Sequence, residues 1–199
     1  MQPYTFVLVP TGRTSVSSKL LETHIPHKHY ELVEQCKAGN PGSQYRLYSQ
    51  YVDAMYNVGL RLLGNKEDAE DIVQESFVQA FKNLEGFRHQ SSFGHWLKRI
   101  VINRSINHLK ARRVCLVPLD EQSILPGEEE VQENDPVPIE KVRKGMARLP
   151  NGYRQIINLY LVEGYDHLEI GEILDISPGT SKSQYHRAKK KLLEILKEM

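Results

Sequence analysis

A cluster of polar and cationic side chains near the C-terminus is the part of the chain best suited to bind an anion. Residues 175–193 read DISPGTSKSQYHRAKKKLL, in which Ser177 is a predicted helix N-cap and Pro178 occupies the first helical position. At about 100° per residue, one face of this helix carries Lys182, Ser183, His186, Arg187 and Lys190. Residues 180–193 include no acidic side chain, so this face suits DNA phosphates and base edges. Taken alone, the segment is equally compatible with an ordinary amphipathic helix that has a solvated basic face.

The opposite face of this helix must pack against a neighbouring element. That face carries Ser181, Tyr185, Ala188 and Leu192. Upstream, Asp166 and Glu169 form a predicted capping box for a preceding helix, in which Gly171 permits close approach of the next helix. Asp175 falls in the connecting turn, where a left-handed conformation is tolerated. The pattern predicts a helix-turn-helix.

Opposite charges occupy different parts of the chain. The 26 Lys and Arg residues nearly balance the 25 Asp and Glu residues, giving a net charge of +1. However, every charged residue in 94–115 is basic, and every charged residue in 116–140 is acidic. The acidic segment contains several prolines and has no apolar period, so it is predicted to be a linker. The sequence therefore indicates two basic surfaces separated by an acidic tether.

Composition excludes several classes of protein. No apolar run approaches the roughly 18 residues of a membrane span, and no signal peptide is present, which predicts a cytoplasmic protein without membrane insertion. Cys36 and Cys115 are distant in sequence and lack metal-ligand neighbours, so we expect buried apolar roles. His24, His27 and His29 have no accompanying acidic or cysteine ligands, and we expect neither a metal nor a cofactor. No nucleophile–base pair or phosphate-cradling glycine loop indicates an enzyme.

Helical periodicity predicts an all-α fold of two small helical bundles joined by an acidic flexible linker, the second with the helix-turn-helix. In the first bundle, breakers at 39–42 precede a helix beginning near Tyr45, and further helices are predicted over 66–84 and 93–113. The last of these is apolar on two opposite sides, which is typical of a helix sandwiched between others. In the second bundle, the apolar series of successive predicted helices are Ile139, Val142, Met146 and Leu149, then Tyr153, Ile156, Ile157, Tyr160 and Leu161, then Ile170, Ile173 and Leu174. A bundle of about 60 residues is marginal alone, so stabilisation by docking to a partner would not be surprising.

Three stretches together resemble the extracytoplasmic-function (ECF) sigma factors of bacterial RNA polymerase, in the sigma-70 family. They are DAEDIVQESFVQAFKNL from Asp68, FRHQSSFGHWLKRIVINRSINHLKARR from Phe87 and YDHLEIGEILDISPGTSKSQYHRAKKKL from Tyr165. The resemblance implies a flexible tail at 1–27, a sigma region 2 domain at 28–114, a linker at 115–138 and a sigma region 4 domain at 139–199. It also implies three kinds of partner: core RNA polymerase, double- and single-stranded promoter DNA, and, in many members, an anti-sigma protein.

The resemblance assigns roles to three groups of residues. Core polymerase binding is implied for Asp68, Asp71, Gln74, Glu75 and Gln79. Melting and recognition of the proximal promoter element are implied for Arg88, His89, Gln90, Ser91, Ser92, Lys98, Arg99, Asn103 and Arg104. Recognition of the distal element is implied for Lys182, Ser183, His186, Arg187 and Lys190. Ser181 stands where the family usually has an apolar residue, and Gln184 stands where a basic residue is common.

Two other functions remain open from the residues alone. A transcription regulator could bind DNA through the helix-turn-helix without being a polymerase subunit. Such a regulator would need neither the loop and basic helix of 87–113 nor the acidic face of 68–79. An enzyme with a helical lid is the third reading, and no residues support it.

Overall fold

The structure is a computed structural model that describes residues 29–112 and 138–199, and these residues form helices and no β-strand. The first bundle contains α1 (Tyr30–Lys37), α2 (Pro41–Leu63), α3 (Lys66–Lys82), a 3-10 turn (Leu84–Gly86) and α4 (Phe93–Ala111). The second contains α5 (Ile139–Ala147), α6 (Asn151–Ile157), a π-helical segment (Asn158–Val162), α7 (His167–Leu174) and α8 (Pro178–Lys197). The predicted all-α class with two helical bundles is confirmed. The predicted tail and nearly all of the predicted linker, including Cys115, lie outside the described residues.

Side-chain caps set the starts of the helices in the first bundle. Asn40 accepts a hydrogen bond from the Ser43 amide at 3.0 Å, and Pro41 occupies the first turn of α2. The helix therefore begins at Pro41, within the predicted breaker cluster at 39–42 that separates it from α1, and one turn before the apolar series that starts at Tyr45. Proline at a first helical position initiates a helix when a capping side chain precedes it. Of the two serines at which the sequence allows a cap for α4, Ser91 and Ser92, the structure uses Ser92, which accepts from the His95 amide at 3.2 Å.

Helix α4 forms the centre of the first bundle. Both of its predicted apolar faces are buried, with Leu97 and Val101 on one side and Ile102 and Ile106 on the other. It packs between α2 and α3, so the prediction of a sandwiched helix is confirmed. Cys36 is also buried in this core, and its burial raises the pKa of the thiol.

The helix-turn-helix of the second bundle forms as predicted. Asp166 and Glu169 make a complete capping box at the start of α7. Asp175 adopts a left-handed conformation with φ of 62° in the turn before α8. A Cβ atom on Gly171 would lie 2.8 Å from the carbonyl oxygen of Ile176, so only glycine permits this turn. The orientation of α8 relative to α7 is therefore fixed by local chemistry.

The π-helical segment changes which side chains of the second bundle face inward. Its wider turn is closed by a hydrogen bond from the Glu163 amide to the Asn158 carbonyl at 2.9 Å. This turn carries one residue more than an α-helical turn, which shifts the register. Of the predicted apolar series, Leu149, Ile156 and Ile157 are buried, whereas Leu161 is 56% exposed as a result of this shift and Tyr160 is 36% exposed. Ile139, the first residue of α5, is 87% exposed.

Candidate nucleic-acid interface

All five predicted reading residues of α8 lie on its outer side. Lys182, His186 and Lys190 are exposed, while Ser183 and Arg187 are half-exposed. The Ser177 hydroxyl caps the helix by accepting from the Thr180 amide at 3.0 Å. The opposite side is buried and consists of Ser181, Gln184, Ala188, Leu192 and Ile195. The packing face is thus rotated slightly from the predicted one, since Gln184 is buried and Tyr185 is half-buried.

Ser181 is fully buried and has a specific hydrogen-bonding partner. Its hydroxyl lies 2.9 Å from Nδ1 of His167 on α7. The imidazole of His167 stacks on the Tyr160 ring with centroids 4.7 Å apart and meets the Tyr185 ring edge-on. A polar residue at this usually apolar position therefore joins α7 to α8, because its buried hydroxyl is satisfied across the helix-turn-helix.

The packing of His167 makes the stability of the second bundle depend on pH. Burial lowers the pKa of His167, and the nearby charge of Lys182 lowers it further. Since the unfolded chain then binds more protons, stability should be full above about pH 6.5 and fall as pH drops below it. His167→Gln should abolish the part of the unfolding free energy that depends on the titration of His167. The difference in unfolding free energy between the wild type and His167→Gln should therefore shrink as pH falls. Urea denaturation of both proteins from neutral to mildly acidic pH measures this difference. A difference that does not change with pH would contradict this account.

The loop before α4 alternates between buried and exposed side chains. Phe87 is buried against Trp96, and His89 is buried with φ of 55° and its Nε2 lies 2.6 Å from Oε1 of Glu34. Between and after them, Arg88 and Gln90 are exposed. Ser91 is half-exposed, and Ser92 is used as the cap of α4. Of the predicted base-capturing residues, the structure thus presents Arg88 and Gln90 to solvent and uses His89 as an anchor.

The four predicted DNA contacts of α4 are in different surroundings. Arg99 and Asn103 are exposed. Lys98 lies 3.1 Å from the carboxylate of Glu163 in the second bundle. Arg104 donates to the carboxylate of Glu75 on α3 and to Oε1 of Gln79 at 3.0 Å. The cationic edge open to a phosphate is therefore centred on Arg99.

The predicted acidic face of α3 is partly neutralised by α4. Asp68 accepts from Arg112 at 2.7 Å, while Glu75 and Gln79 are held by Arg104. Asp71 and Gln74 are exposed, and no side-chain hydrogen bond or ion pair involves them within the described ranges. Of the five predicted core-binding residues, only Asp71 and Gln74 are therefore both exposed and without a side-chain partner among the described residues.

An apolar residue that the sequence analysis missed completes this face. Val78 is 53% exposed. It follows Gln74 by four residues and Asp71 by seven, so the three side chains share one side of α3. A small apolar centre flanked by polar groups is typical of a protein-binding surface. The only signal in the sequence was that Val78 is an apolar residue among the polar residues of the outer face of α3.

The second bundle also exposes a group of large apolar side chains. Leu161 and Val162 leave the π-helical segment with 56% and 46% exposure, and Leu168 on α7 is 61% exposed. Among the described residues no helix could span a membrane, and no group of three or more His, Cys, Asp or Glu side chains could hold a metal ion.

Comparison with known proteins identifies the family. The models of Sigma-70 region 2 and Sigma-70, region 4 match residues 47–114 and 139–192. The ECF RNA polymerase sigma-E factor of Haemophilus influenzae is 30% identical over 170 residues, covering 79% of this chain and 89% of that protein. This chain belongs to the ECF sigma factors. The ECF sigma factor SigW of Bacillus subtilis is 29% identical over 179 residues, covering 84% of this chain and 96% of SigW.

A solved structure shows the same fold. The sigma factor RpoE from Bartonella quintana, in complex with the anti-sigma factor NepR, matches with a TM-score of 0.51 and 22% identity. The match covers 77% of this sigma factor and 96% of the RpoE chain. As a member of this family, the protein is a sigma factor that directs promoter-specific initiation of transcription. Helix α1 precedes the region 2 match, yet Leu32, Val33 and Cys36 belong to the core of the first bundle.

Proposed function

We propose that this sigma factor uses three separate surfaces to direct core RNA polymerase to a two-part promoter. The exposed centre of α3, formed by Asp71, Gln74 and Val78, binds the core enzyme. The loop side chains Arg88 and Gln90, with Arg99 and Asn103 on α4, capture and hold the melted proximal element. The outer side of α8 reads the distal element.

One observation carries this proposal: a single bundle combines an acidic face with an apolar centre and a basic edge beside a loop. Flipping a base out of the stack costs a few kcal/mol, which phosphate contacts and stacking can offset. A polymerase-independent regulator needs only the helix-turn-helix, so the first bundle disfavours that alternative. We infer no enzymatic activity for the chain itself, because catalysis then belongs to the polymerase, and we place the protein in the cytoplasm with that enzyme and its DNA.

We also infer that an anti-sigma protein is a partner. The solved relative from Bartonella quintana is bound to one. The exposed apolar side chains Leu161, Val162 and Leu168 offer a surface for such a protein.

Run-off transcription with core polymerase over a library of promoter sequences tests the function. The proposal expects promoter-dependent transcripts only when the sigma factor is present, with two separated sequence elements enriched among the active templates. Binding of the chain to DNA without any stimulation of transcription would instead support the regulator. The same library supplies the promoter for the variants below.

Two substitutions on α8 separate sequence reading from phosphate binding. Arg187→Ala should relax the preference at one distal position by about 1–3 kcal/mol, because a guanidinium on the reading face can contact a base edge bidentately. Lys190→Ala should weaken binding to all sequences and lower the salt slope by about one. Holoenzyme binding to matched and mismatched promoters at several salt concentrations measures both. Identical effects of the two changes on every sequence would refute the assignment.

A further inference from the structure

Helix α1 supports the loop that precedes α4, although α1 lies outside the residues that the region 2 model matches. The side chains of α1 that belong to the core of the first bundle are Leu32, Val33 and Cys36. At the junction with α2, Oε1 of Gln35 accepts from the hydroxyl of Ser43 at 2.8 Å. Helix α1 is therefore fixed to the bundle on one side, and its other side is available to hold the loop.

Two charged side chains of α1 bind this loop. The ammonium of Lys37 donates to the carbonyl oxygen of Phe87 at 2.9 Å and lies 2.8 Å from Oε1 of Glu34. The same carboxylate oxygen lies 2.6 Å from Nε2 of His89. Since a carboxylate can only accept, Nε2 carries a hydrogen and donates it. The hydrogen bond from Lys37, followed by that from His89, lowers the pKa of Glu34, so its carboxylate is charged at neutral pH.

These contacts hold His89 in an unusual backbone conformation. Its φ of 55° lies in the left-handed region, which residues other than glycine seldom adopt. Such a conformation persists only where the surroundings stabilise it. The ring of His89 is 9% exposed and contacts the rings of Tyr30 and Phe87, with centroids 4.3 Å and 4.7 Å away. Ring packing and the bond to Glu34 together fix this residue.

The buried position of His89 determines where its neighbours point. Phe87 and His89 are buried, whereas Arg88 and Gln90 are exposed. Because the loop alternates between the core and solvent, holding His89 inward turns both neighbouring side chains outward. Without Glu34 and Lys37, the loop could adopt other backbone conformations, in which Arg88 and Gln90 would no longer point in these directions.

We propose that Glu34 and Lys37 are positioning residues for recognition of the proximal promoter element, because they hold His89 and the Phe87 carbonyl and so orient Arg88 and Gln90 toward a melted base. Neither residue needs to contact DNA itself. A loop that is already ordered binds more tightly, since no ordering is required when the base arrives. The inference rests on the base-capturing function proposed for the loop, and it adds α1 to the elements that determine promoter recognition.

Three variants of the full-length protein test this role. Lys37→Met removes the donor to the Phe87 carbonyl and keeps a long unbranched side chain. Glu34→Ala removes the acceptor shared by Lys37 and His89. Glu31→Ala is the matched control, because Glu31 is exposed on the same helix, one turn before Glu34. Circular dichroism and thermal unfolding verify that each variant remains folded.

Tryptophan fluorescence measures the order of the loop in the free protein. The chain has one tryptophan, Trp96, and its ring lies 5.0 Å from the ring of Phe87. Release of the Phe87 carbonyl should let the loop move away from Trp96 and admit a quencher. Acrylamide should therefore quench the fluorescence about twofold more efficiently in Lys37→Met and Glu34→Ala than in the wild type and Glu31→Ala.

Binding of reconstituted holoenzyme to single-stranded DNA measures recognition. The probe is a labelled oligonucleotide with the non-template strand of the proximal element found in the promoter library, and each of a series of further probes has one abasic position. In the wild type, one abasic position should weaken binding by about tenfold or more, which identifies the captured base. Lys37→Met and Glu34→Ala should bind the intact probe about tenfold more weakly.

The same two variants should bind the probe that lacks the captured base as the wild type does, because orienting the loop matters only when that base is present. Their affinity for core polymerase should stay within about twofold of the wild type. Glu31→Ala should match the wild type in every measurement.

Three results would overturn the proposal. Wild-type quenching in both folded variants would mean that Glu34 and Lys37 do not order the loop. Equal losses on intact and abasic probes, or weaker association with core polymerase, would mean that they only stabilise the bundle. A wild-type holoenzyme that binds all abasic probes equally well would refute base capture by the loop, and the positioning role with it, before any variant is compared. Either variant decides the matter if the other fails to fold.

Discussion

Replacing Asp71 with lysine is expected to weaken the association of this sigma factor with core RNA polymerase by at least about 2 kcal/mol, roughly thirtyfold in Kd. Asp71 is exposed and has no ion-pair partner among the described residues, whereas Glu75 is paired with Arg104 on α4 and Asp68 with Arg112 at the end of α4. Its carboxylate is therefore the acidic group of the predicted core-binding set that is most available to a basic partner. Reversing its charge both removes that attraction and adds repulsion. Fluorescence-detected titration of labelled sigma factor with core polymerase measures the effect.

Glu70→Lys is the matched control for Asp71→Lys. Glu70 is exposed on the same helix and undergoes the same change of charge, but it lies about 100° away from Asp71 around α3. It should bind core polymerase nearly as the wild type does. Equal losses for both variants would show that net charge alone governs association, and an unchanged Kd for Asp71→Lys would remove α3 from the interface.

Val78→Asp adds a second measurement at the same face. It leaves every acidic side chain in place and introduces a charge at the apolar centre, so it should weaken association by a mechanism distinct from charge reversal. The comparison thereby tests whether the apolar contact, which no periodicity predicted, contributes to binding.

Arg99→Glu is expected to reduce promoter opening by about tenfold or more while leaving polymerase association intact. Arg99 is exposed on α4, whereas Lys98 is paired with Glu163 and Arg104 with Glu75. Unstacking the bases of the melted strand costs a few kcal/mol per step, and contacts to that strand must offset this cost. Because Arg99→Glu removes a phosphate contact and adds repulsion, it should reduce promoter opening. Permanganate footprinting of the melted strand and run-off transcription, both with reconstituted holoenzyme, measure the loss.

Arg46→Glu provides the control for this experiment. Arg46 is an exposed arginine on α2, in the same bundle, and belongs to none of the three predicted contact groups. It should leave both opening and transcription near wild-type levels. If Arg99→Glu opened the promoter normally, the α4 edge would have no part in melting. If it reduced core binding instead, the two faces of the bundle would have to be reassigned.

The sequence by itself determined most of the helices and the helix faces to which we assign functions. Periodicity and local caps, such as Ser92 before α4 and the Asp166–Glu169 box before α7, depend on residues within a few positions of one another. The left-handed Asp175 and the close turn at Gly171 are equally local. These features could therefore be predicted from neighbouring residues, together with the basic outer side of α8.

Only the tertiary structure decided which of those side chains are exposed and unpaired, and so able to contact a partner. The pairs Arg104–Glu75, Lys98–Glu163 and His167–Ser181 join different helices, and the register of the π-helical segment turned Leu161 outward. Arg154 meets the end of α2 from 91 residues away, where no periodic signal relates the two. Such contacts depend on how helices pack, and packing is governed by the whole buried surface rather than by any local pattern.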